Sequence, residues 1–424
     1  MYPNKFERPF ALVALVVLGL FVIVAGSRIV RALGTSAAPS SVEMQEDGVK
    51  PIPGYVRTGL DWLAAAQFQN GGWGAGSHSA QNVRDPHAVQ VDPATTAFAT
   101  MALMRSGSTL YSGAYQKNIR LALNNLLEIV EASPQNSGQI TSISGTQPQV
   151  KLGHNIDVSM TAQLFARVLP TLKRTDRLKA RVEKGLDKCL RKLEMAQQAD
   201  GSWNEAGWAP VLQSAVANGA LEMAASAGRE VNQEALDRSR KYQKNNVDSE
   251  SGDVKTDAAA GISLYSIASS QRASAPAARD AMERIKEAKK RGELEEDADV
   301  TVDNLRKAGF GEQRAEELFD SYRQNEATKK LLSDERVLSG FGNNGGEEFL
   351  SYMMASESLV VTGDNEWDKW HTRMNQLFAR VQNQDGSWSG HHCITSPVFC
   401  TAAVILTMTA DRDADFLRNK KKKG

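Results

Sequence analysis

From Tyr55 onward apolar residues recur at helical rather than alternating intervals, and the chain reads as helix, turn, helix. Alternating β-branched runs, the mark of strands, are scarce. Six segments are apolar and alanine-rich almost throughout: 93–105, 157–169, 210–225, 257–269, 347–360 and 397–410. Their small residues predict close helix packing around an inner layer. Three times the chain spells Gln-x-x-x-Gly-x-Trp: Gln67-Gly71-Trp73, Gln197-Gly201-Trp203 and Gln382-Gly386-Trp388. Each copy follows a helix-like stretch and precedes an alanine-rich one. A pattern repeated in one context marks an internal repeat. The expected fold is all-α, built from about six helical hairpins.

The residues of the repeat have structural reasons. Glycine frees the backbone for a reversal between helices. Tryptophan offers a large apolar face to pack against the next unit. Glutamine can bond exposed backbone groups at a helix end. The helix starts are marked too. Asp92-Pro93 and Ser396-Pro397 each place a capping side chain before a proline at the first helical position, and Asp157 and Asp257 occupy comparable starts.

The fourth and fifth apolar segments lie further apart than the others. The excess is residues 274–335, a charge-dense tract with Met282, Ile285, Leu305, Leu318, Phe319 and Tyr322 at helical intervals. It reads as a helical insertion, either a solvated appendage or a docking element.

Ahead of the repeats, Phe10–Gly26 is almost wholly apolar. It is at the short end for a spanning helix, and a transmembrane anchor is expected over a cleaved leader. The division is therefore 1–33 membrane anchor, 34–54 a Pro-rich and polar tether, 55–413 the repeat domain, and 414–424 a basic tail. Lys5 and Arg8 before the span nearly balance Arg28 and Arg31 after it, so charge barely orients it. A small head and a large following domain favour the extracytoplasmic side. The 50 basic and 50 acidic side chains cancel, which removes any global field for nucleic acid. The local exception is Lys420–Lys423.

Candidate chemistry is sparse. His391, His392, Cys393 and Cys400 fall together in the last repeat. Thiolate and imidazole suit zinc, the one cofactor this composition suggests. Buried structural thiols, or a Cys393–Cys400 disulfide, are the alternatives. Glu347 and Glu348 close the glycine-rich turn 341–348 and stand at a helix start, as does Asp157; these three are the acids to consider for catalysis. The turn lacks the Lys and Ser/Thr of a phosphate loop.

With the three Gln-Gly-Trp units and the last segment, QNQDGSWSGHHCITSPVFCTAAVILTM, the chain resembles the terpenoid cyclase and protein prenyltransferase superfamily, over roughly Tyr55 to Asp413 apart from the insertion. The resemblance implies an α/α toroid, with an inner and an outer layer of helices around an apolar hollow that takes isoprenoid chains. Its catalytic signatures are missing. There is no DxDD acid motif; Asp297-Ala298-Asp299-Val300 comes nearest and sits in a charged tract, where an acid cannot be desolvated. Phe399-Cys400-Thr401-Ala402-Ala403 looks like the DCTAE motif of oxidosqualene cyclases with Phe for the Asp and Ala for the Glu. The sequence thus favours a membrane-anchored binding protein for an isoprenoid lipid, peptide or protein partner, leaning away from catalysis. A divergent cyclase or metal-dependent prenyl transferase is the first alternative, and a structural envelope protein the second.

Overall fold

The computed structural model describes residues 49–419 except Asn343. The expected anchor, most of the tether and Lys420–Lys423 lie outside the described residues. The chain divides into Met1–Met44 and Gln45–Gly424. The second unit is all-helical. Among the described residues there are no strands, only isolated bridges such as Gly345 to His392. No helix among them is long and apolar enough to cross a membrane.

In chain order the helices are α1 (Gly54–Ala65), α2 (Pro93–Arg105), α3 (Gln116–Ala132), α4 (Gln147–Leu152), α5 (Ile156–Val168), α6 (Arg177–Ala196), α7 (Pro210–Ser226) and α8 (Gln233–Lys244). They continue with α9 (Ser263–Lys290), α10 (Val302–Lys307), α11 (Glu312–Leu331), α12 (Glu335–Leu338), α13 (Gly346–Thr362), α14 (Glu366–Val381), α15 (Pro397–Met408) and α16 (Ala414–Leu417). The six alanine-rich segments supply α2, α5, α7, α9, α13 and α15. Each packs on the next in that order, and α15 returns to α2. Outside this circuit, α1, α3, α6, α8 and α14 are amphipathic and each touches two of its members or a member and another outer helix. Every residue of α2, α13 and α15 is buried.

The three repeat units are built alike. The indole N–H of Trp73, Trp203 and Trp388 donates to the carbonyl of Leu63, Leu193 and Phe378, at 2.8, 2.8 and 2.9 Å. Each indole is fully buried and donates to a carbonyl near the end of the preceding outer helix. The backbone N–H of the same tryptophans donates to Thr96, Ser214 and Thr401 on α2, α7 and α15. Gln67, Gln197 and Gln382 donate to the carbonyl of their own Gly71, Gly201 and Gly386 and to one on the next outer segment: Asn118, Ala235 and Tyr55. The Gln382 bond joins the last unit to the first helix. Gly201 has φ +91°, and a Cβ there would collide with the Arg238 carbonyl. Glycine thus lets α8 approach as well as turning the chain.

Two features depart from the sequence reading. Asp257 does not start a helix: it lies exposed in a 3-10 turn, after which Ala260 and Gly261 take positive φ, and α9 begins only at Ser263. The tract 274–335 begins inside α9 rather than after it. Its longest helix, α11, packs along α9, with Asn325 donating to the Gln271 carbonyl and Gln324 to Ser270 and the Val247 carbonyl. A separate small core of Ala281, Ile285, Ala288, Leu305, Ala308, Ala315 and Leu318 holds the tract together.

Where the inner helices end, a chain of buried charges of alternating sign crosses the circuit. Arg240 (α8) pairs with Glu222 (α7), Glu222 with Arg272 (α9), and Arg272 with Glu357 (α13). Glu357 pairs with Arg105 (α2), and Arg105 with Asp413, which also holds Arg167 (α5). Burial costs these charges solvation, and each is offset by at least one opposite neighbour.

Candidate functional site at the starts of the inner helices

The opposite end of the circuit is made of helix starts, and neighbouring helices cap one another there. Asp92 caps its own helix, accepting from the N–H of Thr95 at 2.8 Å, and also takes the Ala75 N–H. Asp157 on α5 reaches across to accept the Ala94 N–H at 3.0 Å, while its other oxygen accepts from Gln149 at 2.7 Å. Gln147 accepts the N–H groups of Thr395 and Ser396 ahead of α15. Glu347 on α13 accepts the Ile394 N–H at 3.1 Å. Asp157 is buried with both oxygens engaged, which makes it a cap between helices rather than a free acid.

Glu347 and Glu348 stand in the first turn of α13, favoured there by its free amides and dipole. Glu348 is fully buried. Its Oε1 accepts from the Tyr265 hydroxyl at 2.7 Å and the Phe341 N–H at 2.9 Å. Its Oε2 has no hydrogen-bond partner and faces His392 Nε2 across 3.8 Å; neither nitrogen of that imidazole is bonded. His391 stacks edge-on against His392, with centroids 4.4 Å apart, and Phe341 lies 5.1 Å from it on another side. Lys151 approaches from α4, buried, with its ammonium 3.4 Å from the centroid of the Trp208 ring. Its charge acts on Glu347, His392, Cys393 and His78. Trp208 and Phe341 are each 61% exposed, unlike the buried repeat indoles; Phe341 lies against His392, and Trp208 against Lys151 and His78.

Burial, and then the neighbouring Glu348 charge, push the Glu347 carboxyl up to about 7, against the pull of the Ile394 N–H. Burial lowers the proton affinity of His392, with Glu348 opposing. Burial and Glu347 raise the Cys393 thiol to about 11. Asp92 rises to about 6 by burial, and Asp157 to about 7 by burial and then the charge of Asp92. Glu347 can therefore exchange a proton near neutrality, while Cys393 stays a thiol.

The zinc set expected from the sequence is not assembled. His391, His392 and Cys393 lie on one loop, but Cys400 is buried in α15 and donates to the Ile394 carbonyl at 3.6 Å. Its thiol too is driven up by burial. Among the described residues no group of three or more His, Cys, Asp or Glu side chains is set to hold a metal ion. All three cysteines are free, so no Cys393–Cys400 disulfide forms. The Phe399–Ala403 stretch serves the repeat: Phe399 packs on Phe98 at 4.8 Å and Thr401 receives Trp388.

Sequence reasoning singled out Glu347, Glu348 and His392 but passed over Lys151, Trp208, Phe341 and Tyr265. The only trace of Lys151 is a lysine inside a short segment that is otherwise buried. A scan against protein-family models finds no match, and no curated protein is similar to the chain in sequence.

Proposed function

We propose that the chain is a membrane-tethered α/α toroid of the terpenoid cyclase and protein prenyltransferase kind, without their chemistry. Its role is to bind a peptide or protein partner at the polar mouth formed by the starts of its inner helices. The domain lies on the extracytoplasmic side, behind an N-terminal anchor. The closed order of inner helices and the matching repeat joints support the toroid. The observation that carries the binding reading is Glu348: a buried carboxylate with one oxygen unpartnered, beside an unbonded imidazole against which the exposed Phe341 packs. Leaving such an oxygen unmade costs about 1–3 kcal/mol, which a donor group on a partner would return. Exposed aromatic side chains are what binding interfaces are enriched in.

A photo-cross-linking residue at Phe341 in membrane-embedded full-length protein tests this, with Leu121 on the outer surface as control. A discrete adduct at 341, lost on Glu348→Gln, is expected. Equal labelling at both positions, or a stoichiometric polyprenoid extracted from the purified chain, would overturn the reading.

A further inference from the structure

Lys151 is the part of the mouth that neither the repeat nor the helix caps explain. It lies on α4, whose start is fixed by a capping box: the Gln149 N–H donates to the Thr146 hydroxyl, and the Gln149 side chain accepts the Thr146 N–H. The end of that helix is tied to the loop before α7. The Lys151 carbonyl accepts the N–H groups of Trp208 and Ala209, each at 3.1 Å. Gly207 comes so close to Gly153 that a Cβ on it would meet the Gly153 nitrogen at 2.7 Å. Backbone contacts thus hold the Trp208 ring against the Lys151 ammonium.

Lys151 is 3% exposed. Among the described residues its ammonium makes no ion pair and no hydrogen bond, and what it meets is the indole face. The other buried cations are satisfied. Lys188 and Lys192 donate to backbone carbonyls, and Arg105 and Arg272 to carboxylates. A cation–π contact replaces only part of the water that a buried ammonium gives up. The groups around it do not replace the rest. Glu347 feels the Lys151 charge but accepts the Ile394 N–H, and Glu348 is bonded to Tyr265 and Phe341. His78, 6.2 Å from the Trp208 ring, is bonded to Gln81. Arg84 donates to the Thr395 and Gly390 carbonyls on the loop that carries His392. Asp85 beside it and Glu205 on the Trp208 loop are exposed, and among the described residues neither forms an ion pair.

A group that completes Lys151 must be negative. It must also carry a single charge, because the neighbouring Glu347 and Glu348 repel a dianion. One ammonium is a point donor and lacks the fork that holds phosphate or sulfate on two sides. A carboxylate meets these conditions, and an indole face suits the apolar stem of an acidic side chain. We infer that the mouth recognises an Asp or Glu side chain of its partner peptide, which pairs with the Lys151 ammonium alongside Trp208. The inference rests on the reading of the mouth as a peptide or protein site, and it names the group that reading leaves open.

Peptide selection on the purified full-length chain tests it. The probe is a mixture of short random peptides, acetylated and amidated at their ends so that every acid is a side chain. Peptides retained by the chain but not by a Glu348→Gln variant report the mouth. Enrichment of Asp or Glu at one position of these peptides is expected. In Lys151→Met the affinity for the enriched peptides should fall at least about tenfold, the scale of a hydrogen bond to a charged group. The same variant should melt no lower than the parent chain, because it removes a buried ammonium without a partner. Retention without acid preference, or a preference that survives Lys151→Met, would overturn the inference and leave the peptide reading standing. A clear loss of melting temperature would make Lys151 a brace for the end of α4 and overturn it as well. Retention of only a companion mixture with unblocked C-termini would assign Lys151 to a chain terminus instead. If neither mixture is retained, the peptide reading fails and the inference with it.

Discussion

The two ends of the helix circuit solve the same problem in opposite ways. Each buries several ionisable side chains. Where the helices finish, signs alternate from Arg240 to Arg167 and every charge has a partner. Where they start, four acids crowd the helix amides: Asp92, Asp157, Glu347 and Glu348. Lys151 answers them only from a distance. Alternation holds charges ionised, whereas crowding of like charges pushes protons back on. The acids record this. Asp413 and Glu222 are drawn below the ordinary carboxylate range by their arginines, even against burial, while Asp92, Asp157 and Glu347 are driven above it. One end is a fastening. The other keeps unused hydrogen-bonding capacity, the mark of a site rather than a brace.

The sharpest way to break this contrast is to open the fastening. Arg105→Met leaves Glu357 with Arg272 alone and Asp413 with Arg167 alone, and should cost about 3 kcal/mol in denaturant unfolding. A cost near zero would mean the chain of charges is not coupled.

Titration probes the same contrast with a smaller effect. Acids drawn down contribute stability that is present above the unfolded carboxylate value, about 4, and lost as pH falls through their lowered values. Acids pushed up do the reverse: their contribution is complete below about 4 and is lost as pH rises toward about 7. Unfolding followed against pH should therefore show Asp157→Asn flattening the decline between about 4 and 7, by about 1.4 kcal/mol for each tenfold change in proton affinity removed. The same substitution should leave the acid limb below about 4 unchanged. If the slope between about 4 and 7 is untouched, Asp157 is not protonated in the folded state.

The repeat joints belong to neither end and calibrate the comparison. Gln382→Ala removes two hydrogen bonds and Gln197→Ala the same two plus an exposed one from Arg238, so each should cost about 1–2 kcal/mol. A much cheaper Gln382 would place the first helix outside the cooperative fold. The smallest effect is expected at the mouth. Glu348→Gln keeps an acceptor for Tyr265 and Phe341 and changes only the oxygen without a hydrogen-bond partner, so stability should move by less than about 1 kcal/mol while partner cross-linking is lost. A large destabilisation would reassign Glu348 to the fold.

The sequence disclosed what is local and periodic. Asp92-Pro93 announces α2, which spans Pro93–Arg105, the segment read from the pattern. Ser396-Pro397 does the same for α15. Asp257 misled because Ala260 and Gly261 intervene with positive φ before α9 can begin. The paired end was hidden for another reason: Arg105 and Glu357 are 252 residues apart, and only folding shows that they touch. A single charge inside an apolar helix, such as Glu222 or Glu357, was the available hint. Asp157 looked like a cap for its own helix and instead serves one that begins earlier in the chain. The mouth was legible as residue types around Glu347 and His392. Its aromatic walls come from loops with no periodicity to read.

The bond from Gln382 to the Tyr55 carbonyl has a bearing on how the chain could be rewired. Chemically it is the same joint that Gln67 makes with Asn118 and Gln197 makes with Ala235. The seam where the polypeptide begins and stops carries no special lock. New termini cut at another unit junction, with the old ones spliced, should rebuild the same circle, whereas a chain truncated before Gln382 would leave its first helix waiting for a hand that never arrives.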